Sequence, residues 1–403
     1  MLYRLEQQGF SAYLVGGCVR DTLLSKVPKD FDIATDARPE QVKKLFRNCL
    51  LIGRRFRLAH IRFGSEIIEV TTFRANDSRK NRKHRLLTQA GMLLRDNVYG
   101  TLDEDVWRRD FTVNALYYNI HDGTIVDYCS GLNDLRQKLI RIIGDPQQRY
   151  REDPVRLLRA VRFAAKLDFQ LEFETEWALI DHASLLSHVP SARLFEEILK
   201  LLHSGQALKA FQLLKQYQLL APLFPQTSQL TDTQSIRWLE TACRNTDIRV
   251  LNGKTVAPAF LFAVFLWQPL QAEIRKSIAK EALSQRLAHM QAASQVLNLQ
   301  QQSTTLPRYC MHMMRDIWAL QSELCTRHPA RIHRLLQHPR FRAAYDFLLL
   351  RAQCQEVPTE LASWWTQLIE SDADVQAQLV EQLLVVKKQV KKPKRTRRKQ
   401  QAL

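Results

Sequence analysis

One stretch constrains the fold of this chain more than any other: Leu14-Val15-Gly16-Gly17-Cys18-Val19-Arg20-Asp21, followed nine residues later by Asp30-Phe31-Asp32. An apolar β-type run that meets two glycines and then an Arg-Asp pair reads as a strand turning tightly into a helix. Glycine lets the backbone bend there and come close to a ligand. Asp30 and Asp32, at i and i+2 on what reads as a strand, project from one face. Two carboxylates forced onto one face repel unless a divalent cation lies between them. Together these parts predict metal-assisted nucleotidyl transfer. Asp30 and Asp32 would hold the metal, while Gly16, Gly17 and Arg20 would cradle a triphosphate. Taken singly they carry less. An isolated pair of acids is more often solvated at a strand end, and a lone glycine pair is more often a plain connection with Arg20 paired to Asp21.

The chain changes character near residue 150. Before it, short runs rich in β-branched and aromatic residues predict strands at Ala12–Val15, Phe31–Ala34, His60–Phe63, Ile67–Phe73, Thr112–Asn119 and Ile125–Tyr128, with a hairpin turn at Ser65-Glu66 and a helix over Pro39–Phe46. Beyond it nearly everything has helical periodicity, as in Pro154–Leu167, Ala192–Leu202, Leu208–Leu219, Ala257–Leu266 and Phe341–Gln353. The expected class is α+β, a sheet-containing head followed by an all-α body. The divisions are 1–148 (catalytic head), 149–220 (helical neck, nucleotide and RNA binding), 221–380 (helical body, RNA binding) and 381–403 (basic disordered tail).

A formal net charge of +18 selects polyanionic partners, nucleic acid first and an anionic membrane surface second. Half of that excess lies between Lys387 and Lys399, where nine Lys/Arg stand with no acid. That tail reads as a disordered phosphate-backbone binder. A second basic run, Arg79 to Arg85, lies in a 75–90 stretch without apolar periodicity and reads as a flexible loop. No apolar run reaches the roughly 18 residues that span a bilayer, and Met1–Glu6 has no secretory apolar region. The seven cysteines are scattered with no CxxC pair, which argues for reduced thiols in a cytoplasm and against a zinc site.

Further candidates surround the acidic pair. A third carboxylate is expected nearby, from Glu69 or from Asp110 in the run Arg108-Arg109-Asp110-Phe111. Glu69 could equally face solvent on its strand, and Asp110 could be a surface ion pair. Arg109 would touch ribose or phosphate. Glu152-Asp153-Pro154-Val155-Arg156 opens a long helix, with Asp153 as N-cap and Pro154 at the first position. Its carboxylates and Arg156, Arg159 and Arg162 could read a base edge. The plainer alternative is capping plus an i,i+4 pair between Glu152 and Arg156. Arg193 and Glu196 read as supports, and Trp267, Trp318, Trp364 and Trp365 as core or interface residues.

As a set, GGCVRD with Asp30-Phe31-Asp32, RRDFTVNALYY, GLNDL at Gly131–Leu135, EDPVRLLRAVRF and SARLFEE resemble the class II nucleotidyltransferases, the tRNA CCA-adding enzymes and bacterial poly(A) polymerases. Three features are similar to the poly(A) polymerase branch: Ile52–His60, Leu336–Asp346 and the Lys/Arg-rich tail. The resemblance implies a polymerase-beta-like head. It also implies Asp30 and Asp32 as the metal pair, with Asp110 in the active site. Gly17, Arg20, Arg109, Arg156 and Arg159 become nucleotide contacts. Ser25 departs from the family glycine at the end of the LLG stretch, which points to an altered turn. The chain also begins close to its first core strand, where relatives often carry an extension.

The expected reaction is template-independent addition of AMP from ATP to RNA 3′ ends, promoting RNA decay. Mg²⁺ would serve in a two-metal arrangement, and Mn²⁺ could replace it. The rivals are a CCA-adding enzyme, which would also accept CTP, and a non-catalytic RNA-binding protein on the same fold. Partners implied by the resemblance are mRNA and small-RNA 3′ ends, RNA-decay proteins and RNA chaperones, acting on a cytoplasmic monomer that can touch a membrane surface through its tail.

Overall fold

The computed structural model describes residues 1–53, 57–75, 86–87, 93–95, 98–281 and 283–390. The basic run Arg79–Arg85, positions 54–56 and the tail from 391 onward lie outside the described residues. The chain divides into two compact units, Met1–Leu223 and Phe224–Leu403.

The first unit begins with α1 (Leu2–Glu6), β1 (Ala12–Val15), α2 (Gly17–Leu23), β2 (Asp32–Thr35), α3 (Pro39–Leu45), β3 (Cys49–Ile52), β4 (Leu58–Phe63) and β5 (Glu66–Thr72). A seven-stranded mixed sheet runs β3-β4-β5-β2-β1, then Tyr117–Tyr118 and Ile125–Val126. β2 runs antiparallel to β1 and parallel to β5. Alternation sends Ile33 and Val70 to one face, with Leu5, Val42, Phe46 and Ile61. It sends Val15 and Ala34 to the other, with Phe73, Val106, Tyr117 and Ile143.

Several boundaries differ from the sequence reading. β2 starts at Asp32, so Asp30 precedes the strand. The hairpin turns at Gly64-Ser65, one residue early, because Phe63 pairs with Glu66. The expected strand Thr112–Asn119 splits into a 3₁₀ turn, Thr112–Asn114, and the short strand Tyr117–Tyr118. The 3₁₀ turn packs closely on the GLNDL element, where a Cβ at Gly131 would run into the Thr112 carbonyl. Helix then dominates, through α4 (Leu102–Arg108), α5 (Gly131–Gln137), α6 (Pro146–Glu152), α7 (Val155–Leu167), α8 (Phe173–Asp181) and α9 (Ser191–Leu202).

The second unit is entirely helical among the described residues. Trp238, Trp318 and Trp365 are fully buried. Each satisfies its indole N–H on a backbone carbonyl, of Val264 (2.9 Å), Ala263 (3.1 Å) and Leu324 (3.0 Å) respectively. Helix Ala373–Val390 continues past 381, so the first ten residues assigned to the basic tail are helical. Among the described residues, no helix is long and apolar enough to cross a membrane.

The Ser25 departure has a physical consequence. α2 ends in a Schellman arrangement, with the Ser25 N–H on the Thr22 carbonyl (2.9 Å) and the Lys26 N–H on that of Asp21 (2.8 Å). Ser25 must therefore sit at φ 55°, where a Cβ is strained. Ser25→Gly should stabilise the protein by about 1 kcal/mol, raising Tm by a few degrees in a thermal melt. An unchanged or lower Tm would mean that the serine side chain offsets the strain.

Candidate active site

The site is built where β1 runs out. Val15 is the last β1 residue and pairs with Asp32, the first of β2, so antiparallel pairing places Asp32 beside the Gly16 turn. Gly16 has φ 77° and donates its N–H to the Leu116 carbonyl at 3.2 Å. A Cβ there would meet an Arg109 Nη and the Asn114 carbonyl at 3.7 Å, ordinary contact, so the left-handed φ is what calls for glycine. Gly17 opens α2.

Parallel pairing of β2 and β5 sets Glu69 directly beside Asp32 on the same face. Burial, followed by the Glu69 charge, pushes the Asp32 carboxyl up to about 6, while Arg109 opposes the rise and Asp30 adds to it. Asp30 itself is exposed. His60, paired with Glu69 across β4 and β5, approaches that carboxylate at 3.4 Å. The sequence reading left open whether Glu69 or Asp110 would be the third carboxylate; the register brings in Glu69.

Neighbouring, mutually repelling carboxylates fit a divalent cation. Among the described residues, no group of three or more His, Cys, Asp or Glu side chains is arranged to hold a metal ion. A two-carboxylate set still suits Mg²⁺, which keeps waters and takes substrate phosphate oxygens for its remaining positions.

Arg109 is a cation at this end of the sheet, and Arg74 lies near it. The Arg109 Nε donates to the Tyr117 hydroxyl (2.6 Å), one Nη to Asp105 (3.2 Å), and Tyr117 donates to the same Asp105 oxygen (2.6 Å). The guanidinium also stacks over the Tyr117 ring, 4.8 Å from its centroid. Asp105 and Tyr117 were missed from sequence. The i,i+4 spacing of Asp105 and Arg109 on α4 was the available signal.

Other expected residues lie elsewhere. Arg20 is only 2 % exposed, pairs with Asp21 (2.6 Å) and donates to the Asn114 side chain (2.5 Å), so it braces the turn from behind instead of presenting a free cationic fork. Asp110 does not join the acidic pair. One oxygen takes Arg159 at 2.5 Å, and the other accepts from the Phe111 N–H (2.9 Å) and the Asn114 amide (3.3 Å). Burial works against its ionisation, but Arg159 and these donors hold its carboxyl down at about 2.

Asp153 is not the N-cap of α7. Pro154 is the N-cap there, and the Asp153 carboxylate forks onto Arg193 at 2.7 and 2.8 Å. Glu152 pairs with Arg149 (2.9 Å) and Arg156 (3.4 Å). Arg20, Arg159 and Arg162 converge on the Phe163 ring, at 5.3, 5.4 and 4.7 Å from its centroid. Glu152 with Arg156, Asp153 with Arg193 and Arg159 with Asp110 thus make three ion pairs in the neck, the last of them tying it to the head.

The comparisons with known proteins agree with this architecture. Residues 12–141 match the family profile described as "Poly A polymerase head domain", 168–230 that of a "Probable RNA and SrmB-binding site of polymerase A", and 281–401 that of a "Polymerase A arginine-rich C-terminus". Poly(A) polymerase I of Haemophilus influenzae is 48% identical over 386 residues, covering 94% of this chain and 85% of the relative. A CCA-adding enzyme of Lactobacillus helveticus is 40% identical over 222 residues, covering 54% of this chain and 53% of its own. Among solved structures, a tRNA nucleotidyltransferase complexed with a primer tRNA and an incoming ATP analog superposes with TM-score 0.64 at 25% identity, covering 92% of this chain and 99% of that one.

The Asp110–Arg159 pair makes a stability prediction. The folded carboxyl titrates near 2, below the unfolded value of about 3.9, so its contribution is full above about pH 4 and is lost as pH falls through about 2. Asp110→Asn should cost about 2 kcal/mol in urea unfolding at pH 7. That difference from the parent should close between about pH 4 and pH 2. A constant difference across that window would assign the loss to packing.

Proposed function

The chain belongs to the bacterial poly(A) polymerase I family, and we propose that it lengthens RNA 3′ ends with AMP from ATP using Asp30 and Asp32 as the metal-holding pair. It is a nucleotidyltransferase, and RNA polyadenylation is its activity. The observation that carries the residue assignment is the placement of Asp32 between Glu69 and the Gly16 turn, with Arg109 facing both. When bound, Mg²⁺, or Mn²⁺ in its place, lowers the pKa of the attacking hydroxyl and offsets charge on the phosphates.

The chain's own groups do the rest. The RNA 3′-oxygen attacks the α-phosphorus of ATP, the 3′-hydroxyl proton is lost, and the bond to pyrophosphate breaks. Asp30 and Asp32 offer hard oxygen ligands, and Glu69 keeps Asp32 avid for a cation by repulsion. Gly16 and Gly17 let the triphosphate approach the backbone, and Arg109 takes a phosphate or ribose oxygen. Asp105 and Tyr117 fix the Arg109 guanidinium. Arg20 and Asp110 are positioning residues, one under the glycine turn and the other holding Arg159. Glu152, Asp153, Arg156 and Arg159 form the edge against which the adenine is read. The ion pairs among these groups keep that edge rigid, so the protein replaces a template.

The neck also favours a protein partner, of the RNA-decay or RNA-chaperone kind. On α8, Phe173, Trp177 and Ile180 at i, i+4 and i+7 are exposed, and Glu174, Glu176 and Asp181 accompany them. An apolar, acid-flanked face repels RNA and suits a protein surface. The basic residues at the C-terminus suit RNA phosphates, and secondarily an anionic membrane surface, for a cytoplasmic monomer.

A primer-extension gel tests the nucleotide choice. Labelled RNA ending in A should give a long ladder with ATP and little product with CTP. A stop after one to three additions with CTP used, and preference for tRNA lacking CCA, would instead favour CCA addition, the activity named for the relative that shares only about half of the chain. Asp32→Asn should cut AMP incorporation by about a thousandfold while RNA affinity stays within about twofold. Parallel loss of both would sink the metal assignment. Tyr117→Phe should raise KM for ATP about five- to tenfold, because Arg109 is loosened once the hydroxyl's two hydrogen bonds, from Arg109 and to Asp105, are lost.

A further inference from the structure

A second concave site lies wholly within the Phe224–Leu403 unit, remote in sequence from every residue assigned to the reaction. Helix Thr233–Leu251, the 252–257 connection, helix Pro258–Phe265 and helix Phe341–Gln353 enclose a cavity of about 580 Å³. That volume falls in the range of about 300–1,000 Å³ usual for small-molecule sites. Its walls are of two kinds. Val256, Phe260, Ala343, Leu349 and Leu350 form an apolar side. Arg249, Lys254 and Arg342 supply three cations against one carboxylate, Asp346.

Asp346 serves as an orienting group for the arginines. One of its oxygens takes Arg249 Nη1 at 3.4 Å and the other takes Arg342 Nε at 3.2 Å, so both guanidiniums are held at the cavity while the local charge stays positive. Arg249 is further fixed by its Nε on the Thr255 carbonyl at 3.0 Å. Arg342 lies over the Tyr345 ring, 5.4 Å from its centroid. Arg342 and Lys254 remain exposed. Asn245 and Gln353, bonded to each other at 2.7 Å, add amides with base-pairing chemistry to the lining.

An apolar wall beside oriented guanidiniums matches one ligand class: a planar heterocycle carrying a phosphate. A base lies flat on apolar and aromatic side chains, and its phosphate meets the arginine fork. A simple anion site would need no apolar wall, and a purely apolar ligand would leave three cations idle. We propose that this cavity binds one phosphorylated nucleoside unit, with the base against Val256, Phe260 and Leu349 and the phosphate on Arg249, Arg342 and Lys254. The unit comes either from the RNA chain or from free nucleotide. The RNA source fits the net charge of +18 and rests on the polyadenylating activity.

Photocrosslinking with the full-length protein separates the cases. One arm uses oligo(A) RNA containing 8-azidoadenosine, the other 8-azido-ATP without RNA, each followed by peptide mapping. Label from the RNA on 242–260 or 339–353 supports the site with RNA as its source. Label there from azido-ATP alone supports the same site with free nucleotide as its source. Label on neither segment in either arm overturns the proposal.

Ala343→Trp should abolish the cavity label by filling the space. The double variant Lys254→Gln/Arg342→Gln changes only exposed side chains and so covers the possibility that the tryptophan disturbs folding. It should raise the oligo(A) Kd about fivefold and reduce the log Kd against log salt slope by about 1.4, two phosphate contacts on a single strand. Unaltered labelling and an unaltered salt slope in the double variant would also overturn it. Primer extension by the parent protein is read separately. Failure there would count against polyadenylation without touching the crosslink map.

Discussion

The pairing of Ala12–Val15 with Asp32–Thr35, and of Asp32–Thr35 with Glu66–Thr72, is the constraint from which the active site follows. The first pairing brings the glycine turn next to Asp32 without any side-chain contact being needed. The second sets Glu69 beside Asp32 on the same pleat. A one-residue slip in either ladder would send Asp32 to the opposite face, among Ile33, Val70 and Leu5. Those apolar neighbours are what keep the ladder from slipping. The hydrophobic core under the sheet therefore determines where the charged chemistry sits.

Around that centre the chain handles its cationic excess by giving its buried and half-buried arginines an acid. Arg20 has Asp21, Arg109 has Asp105, Arg159 has Asp110 and Arg193 has Asp153. An unpaired buried guanidinium would be costly, and each pair also orients the N–H groups that remain. The cost is that several arginines whose spacing reads as ligand-binding are occupied by protein partners. Their contribution is to rigidity. Phe163 extends the same logic, since one ring underlies Arg20, Arg159 and Arg162 at once.

The two units divide the work by chemistry. In the first, a mixed sheet with an arginine-rich neck positions groups for nucleotidyl transfer. In the second, indole N–H groups on carbonyls and an aromatic cluster about Phe347 build a helical body. That body leaves a positively charged cavity of nucleotide size, and so it has features suited to handling the product chain as well as to scaffolding.

How much of this was legible in the sequence depended on range. β1, α3 and the helices Val155–Leu167 and Phe341–Gln353 were readable, because alternation and 3.6-residue periodicity are local. The turn at Gly16 and the start of α2 at Gly17 were readable for the same reason. The split of Thr112–Asn119 was not, because the Thr112 backbone packs on Gly131 and hydrogen-bonds to Arg141, contacts with later segments that no local pattern shows. Nor were the partners of the arginines: Asp110 meets Arg159 across 49 positions, and Asp153 meets Arg193 across 40. The sequence by itself determined which groups are present, the acidic pair, the glycine turn and the surplus of cations. Only the tertiary structure decided which charges neutralise each other and which stay available. That outcome is set by register and packing between distant segments, and no local pattern encodes it.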